Sequence, residues 1–327
     1  MLGALFAILS AASFALNNAT VRRGVVSGTP IQAMAVSVPL GVVCFLPLAF
    51  LTGGLMRLTQ FPGAALAWMA GLGVLHFVIG RYCNFRANSV AGVNLTAPVV
   101  QLQVVVTMVL AVIVLHEPCT ALQMIGGALI IAGSLITQRA PARTATVETA
   151  KPAAPLFAPQ YLAGYVFASL AALAYGTTPI MARFALEHTG PATGILGGLI
   201  SYIAATAVVA LPLFSSEIRR NVFSLSRDNA RWFALSGVFV AAAQGFFFAA
   251  VSVAPVMLVM PLLQLSLAFR MLFSTWLNPS HEIVGPLVLA GVVISVAGAL
   301  MVSIDTSLIV NALALPEALA RLLLWRV

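Results

Sequence analysis

The chain repeats itself. Ser89, Ala91, Pro98 and Gln101 match Ser252, Ala254, Pro261 and Gln264, all at one offset. Two extra residues then enter before His281-Glu282, which answers His116-Glu117; Gly126 and Gly133, seven apart, are answered by Gly291 and Gly298, seven apart. Copies of one unit have the same faces to bury, so the fold must be built from two equivalent halves. The solvent of those halves is set by composition. The chain is 61% hydrophobic and 7% charged, against about 25% charged for an average soluble domain. A water-facing surface cannot be made from such a sequence. Internal duplication in a lipid-facing chain is the mark of a repeat-built carrier.

A hydrocarbon core about 30 Å thick takes about 20 apolar residues as helix. Ten segments qualify, at about 2–20, 30–52, 64–85, 90–114, 120–138, 160–182, 191–213, 231–251, 254–277 and 284–304. Between the fifth and sixth, Arg139 to Pro159 holds four prolines with Thr, Ala and basic residues, which is linker composition. The expected domains are therefore a first five-helix repeat over 1–138, a linker over 139–159 and a second repeat over 160–304. A tail over 305–327 follows, in which Pro316 to Val327 suits an interfacial helix with Trp325 and Arg326 at headgroup level. An odd number of spans per copy forces the copies into opposite orientations. The expected fold class is an all-α integral membrane protein, ten transmembrane helices in two inverted five-helix repeats. Residues 1–15 resemble a signal peptide but lack its basic start and have a counterpart at 161–182, so they read as a retained first span.

A net charge of +8 would suggest a nucleic-acid partner in a soluble protein. In a membrane protein it sets orientation instead, and no nucleic-acid partner is expected. Ten of the sixteen Lys and Arg fall in odd-numbered loops, four in even-numbered loops and the tail, and two in spans. By the positive-inside rule the odd loops are cytoplasmic and both termini lie outside. Three cysteines without a CxxC pair give no metal or disulfide framework. His116-Glu117 and His281-Glu282 begin like HExxH, but no second His follows at the required spacing. With no GxSxG or P-loop either, neither an enzyme nor a cofactor is expected.

The order of these features resembles the EamA-type permeases of the drug/metabolite transporter superfamily. The most specific part is the junction of fourth and fifth spans: a proline (Pro98, Pro261), an apolar span, a glutamate at its end (Glu117, Glu282), then a glycine-spaced span. The resemblance covers residues 1 to about 304. It implies a ten-helix carrier with a central cavity lined mainly by helices one, three, four, six, eight and nine, and alternating access for a small metabolite. It also implies cytoplasmic termini, against the charge count. The second copy departs from the pattern at Asn278-Pro279-Ser280, ahead of His281.

Polar residues inside the spans are the candidate substrate contacts. They are Asn17 and Asn18 in the first helix, His76 and Arg81 in the third, Gln101 in the fourth, and Tyr175 and Thr177 in the sixth. Gln244 in the eighth and Gln264 and Arg270 in the ninth complete the set. All eight acids are placed outside the spans, which disfavours cationic drugs and carboxylate-based proton coupling. Arginine is costly in a bilayer and usually faces a cavity or a partner. A cavity with arginines and no acid attracts anions, so the expected substrate is a small anionic, zwitterionic or amphipathic molecule, with Arg270 as its main partner. His76 offers a proton carrier, with a hydrogen bond to a neighbour as the bland alternative. The paired glycines, and Gly194 with Gly198, read as helix-packing sites, and Phe246 to Phe248 as core or lipid packing. The expected function is secondary transport in the cell's inner membrane, the lipid being the other partner. A membrane receptor that binds without transporting is the alternative.

Overall fold

The computed structural model describes residues 2–24, 29–91, 96, 99–139, 160–266, 268–269, 272–273, 286–303, 306 and 316–317. Every extended element among them is helical. The first half supplies α1 (Leu2–Gly24), α2 (Pro30–Leu51), α3 (Gly63–Ala91), α4 (Gln103–Leu115) and α5 (Ala121–Arg139). The second supplies α6 (Tyr161–Leu186), α7 (Pro191–Ala210), α8 (Arg227–Val253), α9 (Val256–Leu263) and α10 (Pro286–Ser303). A short helix at Ser216–Phe223 joins α7 to α8. Among the described residues, α2, α3, α6, α8 and the run Pro191–Phe214 are each long and apolar enough to cross a membrane. Shorter apolar helices lie at Leu2–Asn18, Val99–Leu115, Ala121–Gly133 and Leu289–Gly298. The linker residues 140–159, Asn94, Pro98, Arg270, His281, Glu282 and the tail beyond residue 317 lie outside the described residues.

Local chemistry sets the helix starts. Thr29 and Gln32 form a reciprocal capping box at α2, with 3.2 and 2.9 Å bonds, and Pro30 takes the first helical position, where no N–H is needed. Pro191 does the same for α7. Ser226 caps α8 by accepting from the Asn229 N–H. At the other end of α4, His116 adopts a left-handed conformation, φ 54°, and the Glu117 N–H returns to the Ala111 carbonyl.

Helix neighbours come in matched sets. The first helix of each half packs on the third of the other: α1 on α8, α6 on α3. Likewise α2 lies on α8 and α7 on α3, while α2 pairs with α7 and α5 with α10. The closest approaches repeat the scheme. A side chain on Gly3 would strike Ala254 at the end of α8, and one on Gly164 would strike Ala91 at the end of α3. Arg183, near the end of α6, also bonds the carbonyls of Val251 and Ala254. The start of α1 and the end of α6 thus share one end of the molecule, so α1 and α6 run antiparallel.

Packing explains the glycines that recur in sequence. A Cβ on Gly298 of α10 would sit 2.5 Å from the Gly126 carbonyl oxygen of α5, and one on Gly194 2.7 Å from the Phe248 carbonyl oxygen. These glycines let backbones touch, as expected for small residues between membrane helices. Phe248 is fully buried, edge-on to Phe45 at 6.5 Å, so the aromatic run packs the interior. A Cβ on Gly41 of α2 would overlap the ring of Tyr202 on α7. Two sequence expectations are corrected. Arg183, one of the four basic residues counted in the even-numbered loops and the tail, lies inside α6, and Arg22, Arg23, Arg86, Arg139, Arg227 and Arg231, counted in odd-numbered loops, also lie within helices. Glu117 lies outside the spans, in the turn after α4, as expected, but it is only 8% exposed, so a buried carboxylate is present after all.

Candidate functional site

The helix α3 is not uniform. Residues Val74–Gly80 form a π-helical turn between two α-helical stretches. Such turns shift the register of the side chains that follow, and they concentrate at functional sites. This one carries His76 and Phe77 and ends beside Arg81. Across from it, α6 contains Pro179, which has no N–H to give the Tyr175 carbonyl. Thr178 supplies the missing donor, its Oγ bonding the Tyr175 carbonyl at 3.0 Å. At the next residue, Thr107 of α4 donates to the Gly176 carbonyl at 2.8 Å. The stretch around Pro179 is therefore a mended helix rather than an open one.

His76 lies at the centre of this contact. Its Nδ1 is 3.0 Å from Thr178 Oγ, and its Nε2 is 3.0 Å from the Gln244 side-chain nitrogen on α8. If the Gln244 amide donates, Nε2 is the acceptor and Nδ1 carries the proton toward Thr178, which is a neutral imidazole with both nitrogens satisfied. This arrangement matches the bland alternative for His76. The ring also stands 4.8 Å from the Tyr175 ring, and the Tyr175 hydroxyl reaches the Asn84 side chain.

Arg81 is held by two contacts. Its guanidinium donates to Ser37 Oγ of α2 at 2.9 Å and lies 5.8 Å from the centre of the Phe77 ring. Phe77 stacks on Tyr202 at 4.2 Å. The Tyr202 hydroxyl is fully buried and has no hydrogen-bond partner among the described residues. A buried, unmatched hydroxyl costs free energy unless something binds it. No carboxylate pairs with Arg81 among the described residues. Its charge nevertheless falls within electrostatic range of His76, Tyr175 and Tyr202.

The sequence candidates thus divide. His76, Arg81, Tyr175 and Gln244 are brought together, joined by Thr178, Asn84, Ser37 and Tyr202. Asn17 belongs to a separate contact between α1 and α8, where it accepts from Ser236 at 2.6 Å. Asn18 is exposed. Thr177 is spent on the Leu173 carbonyl. Gln264 is buried at the end of α9 and Gln101 half-buried near the start of α4. Arg270 lies outside the described residues. Sequence reading missed Tyr202, whose aromatic character alone carries no signal, and Thr178, which sits directly before a proline and so had one.

A model of the EamA-like transporter family matches residues 1–139 and again 162–304. No curated protein matches the sequence. A solved structure, titled "Crystal structure of protein", shares the fold with a TM-score of 0.62 at 17% identity, over 95% of this chain and 97% of its own. Two successive family matches across most of the sequence, on an all-helical membrane scaffold, place the chain in the EamA-like transporter family of the drug/metabolite transporter superfamily.

Proposed function

We propose that this integral membrane protein is a secondary transporter of the inner membrane. It moves a small metabolite bearing an anionic group, zwitterions included, by alternating access. Its working unit is ten transmembrane helices in two inverted five-helix repeats, 1–138 and 160–304. The antiparallel course of α1 and α6 and the matched helix neighbours support that arrangement.

The observation that carries the substrate class is Arg81. It lies inside a span, over the Phe77 ring that stacks on buried Tyr202, with no carboxylate against it among the described residues. A substrate carboxylate or phosphate could take a two-pronged hydrogen bond from the guanidinium. Its anion could also accept from the Tyr202 hydroxyl, while His76, Tyr175 and Gln244 supply neutral contacts. Asn17, Gln101, Gln264 and Arg270 would extend the path along α1, α4 and the ninth span. Engagement of both His76 nitrogens favours a positioning role for it over proton carriage.

The test is counterflow of labelled organic anions, zwitterions and cations in proteoliposomes. Anions or zwitterions should exchange. Arg81→Gln should abolish exchange in folded protein, and Arg81→Lys should keep part of it. Binding without exchange would make the protein a receptor. A simple cation as best substrate, or normal exchange by Arg81→Gln, overturns the assignment.

A further inference from the structure

One charged cluster takes no part in the site above. Glu117, in the turn between α4 and α5, is 8% exposed, and Arg183 of α6 is 7% exposed. The Glu117 carboxylate accepts from the N–H groups of Val256 and Met257 at 2.9 and 2.8 Å. These begin α9, where helical N–H groups lack internal partners and the helix dipole favours negative charge. Arg183 lies 3.7 Å from the same carboxylate. It donates to the carbonyls of Val251 and Ala254 at 2.9 and 3.1 Å, and to Glu187 at 2.9 Å.

The cluster spans the two halves. Glu117 belongs to the first, and every other member to the second. It fastens the Ala254-Pro255 break between α8 and α9 onto the end of α4 and the end of α6, where the start of α1 also arrives at Gly3. Buried charges persist only when all their hydrogen bonds are made together, and removing one partner strands the rest. A set of bonds that forms and breaks as a unit is a two-state element, which a simple brace need not be.

We propose that Glu117 and Arg183 form the latch that holds this end of the transport path shut, and that it parts when the path opens here. The proposal rests on the transport reading. The sequence of the halves agrees with it. Arg22 follows Gly3 at the interval by which Arg183 follows Gly164, and Glu282 is the repeat counterpart of Glu117. Those counterparts lie outside the described side chains, so the proposal stands on Glu117 and Arg183 alone.

The test places a reporter cysteine at Ile180, buried one turn inward of Arg183, in a background with Cys44, Cys83 and Cys119 replaced by alanine. A membrane-impermeant maleimide is applied from the Glu117 end to purified protein in proteoliposomes, without substrate. Glu117→Gln and Arg183→Gln should each raise the labelling rate about tenfold or more, the loss of one charge-assisted buried contact. Glu187→Gln, at a half-exposed partner, should change it by less than about twofold. Glu117→Asp, one methylene shorter, should raise it less, and it decides the matter where Glu117→Gln does not fold. Unchanged labelling in folded Glu117→Gln or Glu117→Asp protein with a lowered unfolding temperature would reduce the cluster to a brace and overturn the proposal. Labelling needs no substrate, so latch-dependent labelling with no counterflow strikes the transport reading alone. Counterflow with labelling indifferent to Glu117 strikes the latch alone.

Discussion

Gly41→Ala tests whether the column of rings beside Arg81 is as tightly packed as it looks. The new methyl would fall on the ring of Tyr202. That ring cannot retreat freely, because it is fully buried, stacked on Phe77 at 4.2 Å and tilted against Phe45 at 5.2 Å. Overpacking of this kind costs about 1–3 kcal/mol. In a chain of 327 residues that corresponds to a fall in Tm of about 1.5–4.5 °C. A thermal scan in detergent measures it, and a double-mutant cycle assigns it. Tyr202→Ala alone should cost about 3–5 kcal/mol, the range for emptying a large buried aromatic site. Adding Gly41→Ala to Tyr202→Ala should cost nothing further, because the obstructing ring is gone, leaving a coupling of about 1–3 kcal/mol. Displacing Tyr202 also pushes Phe77 under Arg81, so anion exchange should fall in Gly41→Ala. Additive effects, or an unchanged Tm in Gly41→Ala, would refute the packing argument.

Gly298→Val should loosen or unfold α10, because its Cβ would meet the Gly126 carbonyl oxygen at 2.5 Å and the Ile130 nitrogen at 2.9 Å; the check is yield of monodisperse protein. Burial pushes the Cys119 thiol above its usual range. The thiolate is the reactive form, so the thiol should label more slowly than an exposed one between pH 7 and 9, and catch up only on unfolding. A cysteine at exposed Ser224, in a background lacking the native three, should resist an impermeant thiol reagent in intact cells, as the charge count requires. Ready labelling there would favour cytoplasmic termini.

Much of the helical architecture was legible, because apolar length and duplication are properties of the chain itself. Residues 140–159 of the linker fall between the two family matches. The site was legible in part. His76, Arg81, Tyr175 and Gln244 stood out because polar groups inside spans are costly, and cost leaves a compositional trace. Their assembly depends on the π-turn of α3, and nothing in Val74–Gly80 announces it. Glu117 was placed correctly outside the spans, but its burial was not foreseen. Counting charges by position treats a residue after a helix end as solvated, whereas here a chain break in the other half folds over it. Burial made by a distant segment leaves no local pattern.

Counted from the prolines that open α2 and α7, Gly41 and Tyr202 occupy the same position, the twelfth, in their respective helices. If the halves are related by a twofold axis, this contact lies on it. In a dimer of identical subunits, a residue on such an axis must fit against a copy of itself. Two tyrosines could not share the space that one now fills against a glycine, and two glycines would leave a void. Joining the halves in one polypeptide frees that position from self-complementarity, so a knob on one helix can enter a hole on its counterpart. The glycine and the tyrosine are thus a pair that two identical subunits could not offer, and their asymmetry lies one ring from the arginine, where identical halves could present only a symmetric pocket.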